Sequence, residues 1–230
     1  MRIIFVRHGH PDYRKDCLTP LGHRHAALAA NRLAEETIQR IFSSTCGRAY
    51  ETAEYIARVQ GIETADIVKC DFMREIQWGS DTETLYQNGH PWLTVDQMVA
   101  NGESLLCEDW DTREYFAGNK CVESVKKIGI AFDELLADLG YVREGDFYRV
   151  KAPRYETVAV VSHGGASSAI LACLFNLPFP FVCRSVCADY TAITIVSLEG
   201  DEGTLISPKF ELINDAKHIA SVKAKQYFGN

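Results

Sequence analysis

The chain has 230 residues, 47% of them hydrophobic and 24% charged, with a formal net charge of −7. That balance excludes a disordered chain, and a chain of this length buries about 70–75% of its unfolded surface without disulfide or metal staples. The acidic excess argues against nucleic acid or an anionic membrane as the main partner, yet it permits a local basic pocket for a small anion.

Residues 2–6 (RIIFV) read as a short buried strand, too short for the apolar region of a secretory signal. No apolar run approaches the roughly 18–20 residues that span a bilayer, so a cytoplasmic setting is expected. In a reducing compartment the eight cysteines, none in a C-x-x-C pair, are expected to be free thiols. Thr19-Pro20 is a helix start, an N-cap followed by proline at the first helical position. The apolar residues Leu21, Ala26, Leu28, Ala29 and Leu33 then follow at close to helical spacing through residue 36. Residues 40–43 predict a second strand, Ser44 or Thr45 the cap of a helix ending at Gly61, and residues 66–70 a third strand. Between about 76 and 122 the character changes. All three tryptophans lie there with Tyr86, Tyr115 and Phe116 among many polar residues, which reads as a long insertion in a single domain spanning 1–230. Trp78, Tyr86, Trp92 and Trp110 either line the mouth of a pocket or form a small satellite core. Helical periodicity returns at 122–139. Residues 157–162 (TVAVVS) give the clearest buried-strand signal, running directly into a turn and helix at 163–175. Segments 190–198 and 204–213, separated by a Asp-Glu-Gly turn, predict a hairpin. Strands alternating with helices predict a layered α/β fold with a mainly parallel sheet.

Polar chemistry collects at three strand ends: V-R-H-G with Arg7 and His8, S-S-T-C-G-R with Arg48, and V-V-S-H-G-G with His163 and Gly164. In open α/β sheets ligands bind at the carboxyl ends of strands, and glycine there lets backbone approach a ligand closely. Arg48 falls in the first turn of a helix, whose N–H groups also favour an anion. Two arginines and two histidines on one sheet edge suit a phosphate, which arginine grips in a bidentate fork. Taken singly, each has a plainer reading as a solvated rim arginine or a hydrogen-bonded structural histidine. His8, His10 and His163 could also be metal ligands, but Arg7 and Arg48 would repel a cation and no H-x-x-x-H or H-x-E pattern occurs. A serine hydrolase of the nucleophile-elbow type needs G-x-S-x-G, which the chain lacks.

The ordered set F-V-R-H-G (5–9), L-T-P-L-G-H-R-H-A (18–26), the run 42–57 with Arg48, M-R-E-I-Q-W-G (73–79), V-V-S-H-G-G (160–165) and I-N-D-A-K-H-I (213–219) resembles the histidine phosphatase superfamily in its phosphoglycerate mutase-like branch, nearly end to end. The resemblance implies a three-layer α/β sandwich with a mainly parallel central sheet. It implies that His8 is the nucleophile, that Arg7, Arg48, His163 and the Gly164 amide hold the phosphoryl oxygens, and that Glu75 is the general acid and then the base. It implies a metal-independent, cofactor-free phosphatase of small phosphorylated metabolites working through a phosphohistidine. The alternatives are a mutase-like phosphotransferase and a non-catalytic phosphate-binding module. Mutases of the branch continue R-H-G-E-S-x-W-N and carry E-R-H-Y-G around the acid. This chain has R-H-G-H-P-D-Y-R and R-E-I-Q-W-G, which favours the phosphatase. His10, in place of the usual acid, either contacts substrate or hydrogen-bonds at the pocket rim. Only Arg113 and Lys120 are basic within the insertion, so a polyphosphorylated substrate is not expected. Nothing in the sequence sets the oligomeric state.

Overall fold

The computed structural model describes residues 1–186 and 188–222, so Cys187 lies outside it. In chain order the elements are β1 (Arg2–Arg7), β2 (Pro11–Asp12), β3 (Cys17–Leu18), α1 (Pro20–Arg32), β4 (Ile38–Ser44), α2 (Gly47–Gln60), β5 (Val68–Cys70), α3 (Pro91–Ala100) and α4 (Lys120–Asp138). They continue as β6 (Tyr141–Glu144), β7 (Phe147–Val150), β8 (Thr157–Ser162), α5 (Gly164–Phe175), α6 (Phe179–Ser185), β9 (Ile193–Ser197), β10 (Leu205–Ile206) and β11 (Lys209–Asp215).

Six strands form the central sheet in the order β11-β9-β1-β8-β4-β5. β1, β8, β4 and β5 pair in parallel, and β9 runs against both β1 and β11. This is the three-layer, mainly parallel architecture expected from the resemblance. Its cause is visible in the alternation of side chains along each strand. In β1, Ile4 and Val6 join Ala30 and Leu33 of the α1 side and Ala53, Ile56 and Ala57 of α2. Ile3 and Phe5 turn the other way, onto Phe132 and Leu136 of α4 and Ala169 and Ile170 of α5. β8 does the same with Ala159 and Val161 on one face and Val158 and Val160 on the other. A strand buried on both faces reads as a near-continuous apolar run, and all six β8 residues are buried, with the polar Thr157 and Ser162 only at its ends. Each Ile or Val so buried contributes roughly 1.5–3 kcal/mol of transfer free energy.

Local signals set most boundaries. Thr19 Oγ1 accepts from Gly22 N at 3.1 Å, with Pro20 in the first helical position. Gly61 closes α2 at φ +68°, a conformation that costs glycine nothing. Three expectations are corrected. α1 stops at Arg32 rather than 36, the chain leaving the helix through two tight turns at 33–36. α2 is capped by Cys46 without a side-chain bond, and neither expected cap serves: Ser44 Oγ accepts from Cys46 N and is held against His163, and Thr45 Oγ1 donates to Asp71. The 204–213 segment splits: β11 pairs with β9 as expected, but β10 pairs with β7 in a separate three-stranded sheet β10-β7-β6. The seven cysteines among the described residues are free thiols. Among these residues no helix is long and apolar enough to cross a membrane.

Candidate active site

β1 and β8 lie side by side with Arg7 opposite Ser162, and His8 N donates to Ser162 O at 2.9 Å. Parallel pairing in this register delivers His8 and His163 to the same edge. β4 flanks β8 and ends at Ser44, placing Arg48 over both histidines. His8 and His163 are buried, with ring centroids 5.1 Å apart. Arg48 spans them: Nε donates to His8 Nε2 at 3.3 Å and Nη2 to His163 Nδ1 at 3.0 Å, while Nη1 is ion-paired with Asp16.

The tautomers follow from the partners. His8 Nδ1 lies 2.7 Å from the Gly9 carbonyl, which can only accept, so the proton sits on Nδ1 and the lone pair on Nε2. His163 Nδ1 accepts from Arg48, so its Nε2 carries the proton toward Ser44 Oγ at 2.9 Å. Burial, reinforced by His163, Arg7 and Arg48, holds the His8 imidazole well below its usual pKa; burial and the two arginines do the same for His163. Both rings are therefore neutral near pH 7. Arg7 donates from Nη1 to Ala188 O at 2.7 Å, and its guanidinium lies 4.4 Å from the centre of the Tyr190 ring.

Glu75 reaches the same edge from the segment after β5. Ser162 Oγ donates to Met73 O at 2.7 Å and pins that segment to β8. Glu75 Oε1 accepts from Gly165 N at 3.0 Å, Ala166 N at 3.2 Å and Ile76 N at 3.1 Å. Burial nevertheless raises its pKa, against the opposing pull of Arg7, the amides and Arg48. Gly165 is required sterically: a Cβ there would stand 2.5 Å from both Glu75 Oε1 and Ile76 Cγ1. Gly164 opens α5, so its N–H has no acceptor within the helix and is one of the donors a helix N-terminus offers to an anion. Arg7, His8, Arg48, Glu75, His163 and Gly164 thus all converge. Among the described residues no group of three or more His, Cys, Asp or Glu side chains is placed to hold a metal ion.

His10 sits beside the cluster with Nδ1 2.9 Å from Thr19 Oγ1 and its ring edge-on to Tyr190 at 5.4 Å. That is the hydrogen-bonded rim position of the two readings open for it. The insertion aromatics divide. Trp110 is only 8% exposed and packs on Phe116 and Phe179 within the same core that takes Phe5 and Phe132, not in a separate satellite core, and Tyr86 stacks on Tyr115. Trp92 instead reaches Gly164, and Trp78 is 42% exposed. Asn119 caps α4 by accepting from Cys121 N at 3.0 Å, and the same Oδ1 accepts from Gly79 N at 3.1 Å while Nδ2 donates to Gly89 O at 2.8 Å. One buried side chain therefore ties together two loops of the insertion.

Asp16 and Tyr190 escape a reading of the sequence. Asp16 binds Arg48 and also accepts from Gly47 N at 2.8 Å, the opening amide of α2. Its backbone has φ +51°, and an Asp is among the side chains that tolerate this region, but the pairing spans 31 residues and leaves no local signature. Tyr190 was legible only as part of a strand signal.

The strand ends thus gather a neutral histidine, a second histidine, two arginines and a carboxyl, and the chain belongs to the histidine phosphatase superfamily (branch 1), whose family model matches residues 3–128 and 147–210. Its relatives carry more particular names. It is 25% identical over 214 residues to "Putative phosphoserine phosphatase 2" of Hydrogenobacter thermophilus, covering 89% of this chain and 93% of that one. It is 24% identical over 197 residues to "Probable phosphoglycerate mutase GpmB" of Proteus mirabilis, covering 77% and 76%. Among solved structures, the mycobacterial glucosyl-3-phosphoglycerate phosphatase superposes with a TM-score of 0.62 at 24% identity, covering 93% of this chain and 98% of that one.

Proposed function

We propose that the protein is a phosphatase that hydrolyses small phosphate monoesters through a phosphohistidine on His8 Nε2, without a metal or other cofactor. The observation that carries this reading is the locked tautomer. With Nδ1–H bound to the Gly9 carbonyl, the lone pair on Nε2 faces Arg48. A neutral imidazole is a competent nucleophile, and its lowered pKa keeps it so below the ordinary histidine range.

In the first step Nε2 attacks phosphorus and the ester P–O bond breaks. The Glu75 carboxyl, whose pKa burial raises, gives its proton to the departing oxygen. In the second step the Glu75 carboxylate takes a proton from water as that water attacks phosphorus. The P–N bond breaks, inorganic phosphate leaves and His8 is restored. Arg7, Arg48, His163 and the Gly164 amide surround the transferring group and stabilise its equatorial charge, the main task in phosphoryl transfer. The reading takes residues 1–230 as one domain, with the insertion at about 76–122 shaping access to this edge.

The names of the relatives support a small phosphorylated substrate, two of the three being phosphatases. Transfer to a second hydroxyl, as the mutase relative's name suggests, is less favoured because the mutase motifs around His8 and Glu75 are replaced. The test is hydrolysis of p-nitrophenyl phosphate in EDTA, with mass analysis of a quenched reaction for a phosphoryl group on the His8 peptide. Activity and adduct that survive the chelator and vanish in His8→Ala are expected. Undiminished turnover by His8→Ala would overturn the reading. Conversion of 3-phosphoglycerate to 2-phosphoglycerate with a bisphosphoglycerate primer, faster than hydrolysis, would replace it with the mutase.

A further inference from the structure

We infer that Trp92, His90 and Trp78 form the leaving-group wall of the site and select phosphate monoesters whose alcohol carries a planar, uncharged group. The inference rests on the phosphatase reading above and deepens it. Four observations converge.

The wall begins at the phosphate clamp. A Cβ built on Gly164 would lie 3.5 Å from Trp92 Cζ2 and 3.6 Å from Arg7 Cζ, so the indole and the guanidinium share one patch of backbone. From there the rings run outward without a gap. His90 is 5.8 Å from Trp92, Trp78 is edge-on to His90 at 5.2 Å, and Trp78 is partly in solvent. Trp78 also stands three residues beyond Glu75, so the wall follows the segment that carries the proton donor. Offset or edge-on contact with indole favours a flat group over a flexible polar one.

Charge on the insertion disfavours an anionic alcohol. Residues 76–122 hold eight carboxylates (Asp81, Glu83, Asp96, Glu103, Glu108, Asp109, Asp111, Glu114) against two cations, Arg113 and Lys120. Arg113 is paired with Glu103 and Asp109, and Lys120 with Asp81, while Asp96 and Asp111 are paired with Arg184 and Lys126 from outside the insertion; Glu83, Glu108 and Glu114 have no ion pair among the described residues, so the excess stays acidic. Arg74, just outside, is paired with Asp71 and bonded to Thr45. Burial lowers the His90 pKa, so the ring adds no compensating positive charge near neutrality.

The wall is also pre-organised. Gly79 follows Trp78 and Gly89 precedes His90, and Asn119 binds the backbone of both. Gly89 has φ +73°, and a Cβ there would stand 2.7 Å from Leu85 Cδ1 and 2.9 Å from Gly79 Cα, so the two loops touch. Little ordering entropy then remains to oppose binding.

The experiment compares benzyl phosphate, ethyl phosphate and 3-phosphoglycerate with the full chain. All three release a primary alcohol, so the chemistry of the departing oxygen is matched. We expect kcat/KM for benzyl phosphate about tenfold above ethyl phosphate, equivalent to about 1.4 kcal/mol, with 3-phosphoglycerate below both. In Trp92→Leu the benzyl-to-ethyl ratio falls to about two or less, mostly through KM. Trp78→Leu, at an exposed position that does not threaten folding, lowers the same ratio by a smaller factor. A wild-type ratio near one, a preference for 3-phosphoglycerate, or ratios unchanged in both variants overturns the inference. If no ester is turned over, the phosphatase reading fails, and calorimetric binding of benzylphosphonate against ethylphosphonate decides the wall alone. Tighter benzylphosphonate binding upholds it and equal affinity rejects it.

Discussion

His8 and His163 stand at the ends of neighbouring, hydrogen-bonded strands packed on both faces, whereas Trp78 and His90 stand on loops tied by the side chain of a single asparagine. The first region owes its precision to the sheet: register fixes both histidines at once, and shifting either by one residue would turn every β8 side chain to the wrong face. The second owes its precision to a few polar contacts and two glycines. The difference teaches that the two histidines and the ring wall are held by separable means, so substitutions can strike one without the other.

The sharpest way to break the comparison is at the nucleophile. His8→Ala is expected to lower p-nitrophenyl phosphate turnover by at least about a thousandfold while leaving thermal stability near that of the parent, measured by steady-state kinetics and calorimetry. Glu75→Gln comes next, with kcat for an alkyl phosphate falling by about 10²–10³-fold. It also carries a pH signature. In the proposed mechanism the acid form of Glu75 is the active one, and its pKa is raised, so wild-type kcat for alkyl esters is expected to fall as pH rises through that raised value. Glu75→Gln, which titrates no proton there, should lose that limb. On the frame, Val161→Ala removes buried methyls between the helix layers and is expected to cost about 1–3 kcal/mol of unfolding free energy, with little change in selectivity among esters. Asn119→Ala should cost about 0.5–2 kcal/mol as a lost cap. Hydrogen exchange should then speed up at residues 79–90 and not in β1 or β8. Asp16→Asn keeps the shape but removes the charge beside Arg48. A rise of about three- to tenfold in KM, with kcat less affected, is the expected outcome in a substrate titration.

What could be read from the sequence follows the same division. Strand ends announce themselves because Arg-His-Gly, the turn before Arg48 and Ser-His-Gly-Gly recur at the ends of three apolar runs, and Arg7, His8, Arg48 and His163 do come together; Glu75 was legible only through the family resemblance. The layers were legible from alternation. Tertiary ties were not. Asp16 reaches Arg48 and Gly47 across 31 residues or more, Tyr190 meets Arg7 and His10 from the far side of the chain, and no spacing rule encodes either. The split of 204–213 between two sheets was hidden because both halves satisfy the same strand pattern and only the partner β7 distinguishes them. The insertion aromatics were visible as residues and ambiguous as roles, since Trp110 inside the core and Trp92, which packs at its margin next to Gly164, look alike in one dimension.

Asn119 has a consequence for how such a protein can diversify. Its three bonds within the insertion go to main-chain atoms of Gly79, Gly89 and Cys121 and to no side chain. The clasp is therefore indifferent to which residues occupy positions 78 and 90. Those positions can be randomised together in a library while the loops that present them keep their path, which makes this rim a place where a new preference can be selected without rebuilding the catalyst beneath it.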